Sequence, residues 1–205
     1  MRVLVTESHS QAADRVVDEL TASGHEVLRC HAGSGPAFPC VGLAGEPCPV
    51  EVGVDVAVTV RAHPQSTPAP TEDGAVCALR THVPLVVLGQ TLLHPFGAFD
   101  AVAAEGQADA VATVEAAATA RRPEHEAVAE SVLRETLTRA EQSADSAQAR
   151  VTRTRDGLDV TLLVAPETSA AARARAAVRV VGALREFDAD APQVNLSVGE
   201  LPEGA

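Results

Sequence analysis

At 205 residues, of which 46% are hydrophobic, the chain is long enough to bury a sizeable core as one large domain or two small ones. Its net charge is −12 and every basic residue is an arginine, which argues against duplex DNA and anionic membranes as partners, because both need a positive footprint. The absence of lysine removes Schiff-base and lysine phosphate-clamp chemistry, and four Phe with no Trp or Tyr leave few platforms on which nucleic-acid bases could stack.

Arg2–Thr6 is a short apolar run of buried-strand type. Ser10 can cap a helix from about Gln11 to Ala22, with Val16, Val17 and Leu20 on one face and Gly24 as its stop. Glu26–Arg29 follows as a second strand. A β-α-β opening of this length predicts a parallel sheet. Residues 32–49 carry so many Gly and Pro that a loop is expected where the next crossover helix would lie. Asp55–Val60 reads as a third buried strand. Thr71 opens a short helix through Cys77 to Arg80, and Leu85–Leu88, after Pro84, is a fourth strand. Ala98–Ala103 is expected as a fifth strand and Asp109–Ala120 as an Ala-rich helix.

Arg121-Arg122-Pro123 marks a boundary, dividing a domain of residues 1–122 from one of residues 123–205. The second begins with a helix over Glu124–Glu141, whose Val128, Val132 and Leu137 offer a seam for dimerisation or for packing on its own domain. A hairpin turns at Asp156-Gly157 between Val151–Arg155 and Leu158–Val164. Thr168 caps a helix to about Phe187, and Val194–Val198 alternates as a last strand. The expected fold is therefore α/β: a five-stranded parallel sheet, then a small α+β module of αββαβ order with its helices on one face.

The apolar strand Val54–Val60 with the following Arg61-Ala62-His63-Pro64, the segment Pro84–Gly89, and Gly97–Val102 resemble the third, fourth and fifth strands of response-regulator receiver domains. The resemblance covers residues 1–122 and implies a flavodoxin-like sheet. The departures carry the functional content. Val60 stands where the family has its phosphoryl-accepting Asp, and only Glu7 remains of the acidic pair that holds magnesium. Gly89 replaces the switch Ser or Thr, and the fifth-strand lysine falls near Ala104. Phosphoryl transfer needs a carboxylate nucleophile and a neutralising cation. A receiver-like domain without them implies a non-enzymatic regulatory or protein-interaction role, with a protein partner or self-association. The hairpin, the long helix and Val194–Val198 are similar, more faintly, to small αβ domains of the alkaline-shock-protein family.

The alternative function class is a thiol-based metal or redox protein. Cys30 and His31 end the second strand, Cys40 and Cys48 lie in the Gly/Pro loop, and His63, Cys77 and His82 sit at the ends of later elements. Loops beyond the carboxyl ends of parallel strands converge on one rim. Cys30, His31, Cys40, Cys48 and Cys77 are thus the candidate metal set, with zinc as the ion such ligands would take. Cys40 and Cys48 are instead the candidates for a redox pair, and small buried thiols are the third reading. No Gly-rich phosphate loop follows the first strand, and no G-x-S-x-G elbow occurs. His9 there reads as a capping or exposed residue. Arg173, Arg175, Arg179 and Arg185 read as a solvated helix face. No apolar run approaches the roughly 18 residues of a membrane helix, and the N-terminus enters a strand directly, so a soluble cytoplasmic protein is expected.

Overall fold

A computed structural model describes residues 1–31, 37–90, 92–97, 102–105, 109–154, 156–189, 191 and 193–201. The chain divides into two compact units, Met1–Thr119 and Ala120–Ala205. The division falls before Arg121-Arg122 because these residues join the second unit's sheet. Arg121 forms a bridge with Thr152, and the Arg122 N–H donates to the Val151 carbonyl at 2.8 Å.

The first unit contains β1 (Arg2–Glu7), α1 (Asp14–Ala22), β2 (Glu26–Leu28), β3 (Val56–Arg61), a 3-10 turn (Pro70–Glu72), α2 (Asp73–Arg80), β4 (Leu85–Gly89), β5 (Val102–Glu105) and α3 (Ala110–Thr119). β2, β1, β3 and β4 form the body of a parallel sheet in that order. β5 adds a short pairing along β4, through Val86↔Val102, Val87↔Ala103 and Leu88↔Ala104. This differs from the strand expected over Ala98–Ala103, whose residues 98–101 lie outside the described set. β2 is also shorter than expected and ends at Leu28.

Strand side chains alternate between two covered faces, which explains why both faces of the strands are mainly apolar. Val3, Val5, Val56, Val58, Val60, Val86 and Leu88 pack under α1 and α3, which contribute Val16, Leu20, Val114 and Ala117. Leu4, Ala57, Leu85 and Val87 face α2, with Ala75, Ala78, Cys30, Val54 and Phe96. No regular helix occurs among described residues 37–54, in keeping with the Gly and Pro content; backbone turns such as Ala44 N–H to Cys40 O hold this loop instead.

The second unit contains α4 (Pro123–Arg139), β6 (Gln148–Thr154), β7 (Gly157–Val164), α5 (Ala170–Phe187) and β8 (Val194–Glu200). β6 pairs antiparallel and β8 parallel with β7, in the order β6-β7-β8. Ala149, Val151, Leu158, Val160, Leu162 and Val164 share one core with Leu133 and Leu137 of α4 and Val180 and Leu184 of α5. α5 is capped by Ser169 rather than Thr168: the Ser169 hydroxyl accepts from the Ala172 N–H. No helix of the described residues is long and apolar enough to cross a membrane.

Candidate functional site

Two places in the first unit concentrate chemistry-bearing side chains. The first is the carboxyl rim of the sheet. β3 alternates so that Val60 enters the core beneath α1 and α3, while Thr59 and Arg61 turn to the α2 face. Arg61 meets Glu72, and both side chains are completely buried. Arg61 Nη1 donates to both carboxylate oxygens, at 2.7 and 2.9 Å, and Nη2 donates to the Gln65 carbonyl at 2.9 Å. Thr59 Oγ1 adds a bond to Glu72 Oε1 at 2.8 Å, and the Ala69 N–H adds one to Oε2 at 2.8 Å. The carboxylate is saturated by donors, and its charge is spent on one fixed partner.

Around this pair the rim is stitched rather than open. Glu7 accepts the Ala13 N–H at 2.9 Å, and Arg29 lies 3.4 Å from its other oxygen. The Thr71 hydroxyl donates to the Glu7 carbonyl, and Ser8 Oγ accepts the Ala62 N–H at 3.1 Å. His9 and His63, both exposed, meet edge to face with ring centroids 5.0 Å apart. Gly89, at φ +93, lets β4 end against β3: an added Cβ would lie 2.3 Å from the Arg61 carbonyl oxygen. Glu7 is therefore occupied in starting α1, and Gly89 answers a backbone demand. Spacing in the sequence does not pair Arg61 with Glu72, and the one legible sign was an Arg directly terminating an otherwise uncharged strand.

The second place is a cleft of about 470 Å³ between α2 and the loop of residues 37–54, lined among others by Phe38, Cys40, Leu43, Cys48, Asp73 and Cys77. Three of the predicted cysteines therefore share one wall system. Cys30 is buried beside it, with Sγ 2.8 Å from where a Gly74 Cβ would stand, so α2 can approach only because residue 74 is glycine. The loop returns to β2 through the Val41 N–H, which donates to the Cys30 carbonyl at 2.9 Å. Burial pushes the Cys30 thiol up to about 12; the charges that Cys48, Cys40 and Cys77 would carry, and then Asp73, push in the same direction. Burial also raises the Cys77 thiol, followed by Cys48, against a lowering by Arg80. Cys48 is thus the cysteine felt most strongly by both. All four are free thiols. His31 does not line the cleft, and neither of its ring nitrogens has a partner among the described residues. Among the described residues no three His, Cys, Asp or Glu side chains are arranged to share a metal ion.

In the second unit a buried ion group joins three elements. Asp188, at the end of α5, accepts from His125 Nε2 of α4 at 3.0 Å and from Arg153 of β6 on the same oxygen. The His125 ring stands edge-on to Phe187, with centroids 5.0 Å apart. Each of the three ionisable side chains is at least nine-tenths buried, and together they read as an internal clasp.

No protein-family model and no curated protein sequence matches this chain.

Proposed function

We propose that the chain is a non-enzymatic regulatory or protein-interaction protein built on a non-phosphorylatable pseudo-receiver. The observation that carries this reading is the Arg61–Glu72 pair beside Val60 at the carboxyl rim. A phosphoryl acceptor must be an accessible carboxylate near a site for a cation. Here the residue at the acceptor position is a core aliphatic. The adjacent acid is buried and already bound by an arginine, a threonine and a backbone N–H. The strand order β2-β1-β3-β4, with β5 beyond it, is compatible with the flavodoxin-like plan. Light scattering after size exclusion, with capture of defined candidate partners, tests the interaction role. Incubation with a small phosphodonor and magnesium, followed by intact-mass measurement, tests the missing chemistry. The expected result is self-association or a stoichiometric partner with no added phosphoryl group. A strict monomer without partners, or stable phosphorylation, overturns the reading.

A second reading is favoured by the grouping of Cys40, Cys48 and Cys77 in one cleft with Cys30 beside them. A soft cation binding here would displace the thiol protons, and a two-electron oxidant would join two of the thiols as a disulfide with release of two protons. Elemental analysis of protein purified without a metal-affinity tag, together with thiol counting before and after mild oxidation, tests it. Four titratable thiols, no bound metal and no change on oxidation would remove both forms.

A further inference from the structure

The two edges of the second unit's sheet are treated differently. The β6 edge is sealed by its own unit. The Val151 N–H donates to Glu126 at 3.0 Å and the Ala149 N–H to Glu130 at 3.2 Å, while the Val151 carbonyl accepts from the Arg122 N–H. Arg134 covers the Ala147 carbonyl, and Arg121 and Arg134 in turn hold the two glutamates. Among the described residues the β8 edge has no such cover. The Leu158 N–H donates to the Gln193 carbonyl, and the Leu201 N–H donates to the Val164 carbonyl. In a parallel ladder, the odd-numbered residues of β8 therefore turn both backbone groups to β7, and the even-numbered ones turn theirs outward. Among the described residues, no hydrogen bond reaches the outward backbone groups of Val194, Leu196, Val198 or Glu200. The edge carries no proline, bulge or lysine, the usual devices against strand addition.

We propose that two copies of this chain pair antiparallel through β8, about Ser197, making one sheet continuous across both. The proposal rests on the interaction reading above and names its surface and partner. The segment is self-complementary in this register. Leu196 faces Val198 of the other copy as a hydrogen-bonded pair using the outward groups, and Ser197 faces Ser197 as a non-hydrogen-bonded pair, about 4.5 Å apart at Cα. Val194, Leu196 and Val198 lie on the core side and are only half-buried in one copy, so the other copy's strand completes their cover. The two Glu200 side chains fall at opposite ends, so no like charges meet. An isologous contact of this kind closes at two copies.

The test uses the full chain and sedimentation across a wide concentration range. The parent is expected to form a dimer. Ser197→Arg puts like charges face to face on the open side of the sheet, away from the core, and is expected to weaken dimerisation at least about tenfold. Ser197→Glu does the same alone, and an equimolar mixture of the two variants restores the dimer. Val198→Pro removes an outward N–H, spares the groups facing β7, and is expected to give a folded monomer. A monomeric parent that binds another protein overturns the proposal and leaves the interaction reading standing. A dimer indifferent to the Ser197 and Val198 changes overturns the β8 assignment alone. A monomeric parent that binds nothing overturns both.

Discussion

Glu72 is the residue on which the rim depends, because removing its charge leaves a wholly buried guanidinium without its counter-ion. Glu72→Gln is expected to cost about 3–5 kcal/mol in urea unfolding. Replacing Arg61 and Glu72 together by leucine is expected to cost far less, since no charge then remains stranded. A double variant as unstable as the single one would show that the pair's hydrogen bonds, not its charges, carry the stability. This pair was not legible in the sequence. Arg61 lies eleven residues from Glu72, across a Pro-rich loop, and nothing in spacing says that such an arginine turns inward. The cysteines were legible as candidates because soft side chains are rare and distinctive. Their grouping was not, since it depends on how the 37–54 loop folds onto α2.

Local signals located most elements well and their ends less well. Parallel-sheet strands announced themselves as mainly apolar runs, because both faces are covered. Termini shifted where capping was decided by geometry. α5 takes Ser169 as its cap although Thr168 is also a capping residue, because the Ser169 hydroxyl is the one that meets the Ala172 N–H. Ser169→Ala is expected to lower stability by about 1 kcal/mol, read by thermal or urea unfolding, whereas Thr168→Ser should leave that cap intact. The two edges of the β6-β7-β8 sheet are also a matter of elements. α4 spends Glu126 and Glu130 on β6, and no element among the described residues does the same for β8.

For the molecule as a whole, the thiols make stability depend on alkaline pH. The Cys30 proton leaves near 9 in the unfolded chain and near 12 in the folded one. Below about pH 9 both states hold it and stability is undiminished. Between about 9 and 12 only the unfolded chain releases it, so stability falls with pH, by up to about 1.4 kcal/mol per pH unit for one such group. Urea unfolding followed through this range is expected to show the fall, and Cys30→Ala to flatten it; an unchanged slope in that variant would assign the loss elsewhere.

The amino-acid sequence by itself determined the α/β class, the parallel sheet begun by the first strands, and the loop in place of a helix. These follow from periodicity, breaker residues and residue identity, which act over a few positions. Only the tertiary structure decided that Arg61 and Glu72 neutralise each other, that four cysteines gather about one cleft, and that β6 is sealed while no described residue covers β8. Those outcomes join residues far apart in the chain, and the energy that selects them comes from burial and pairing, which exist only once the segments have packed.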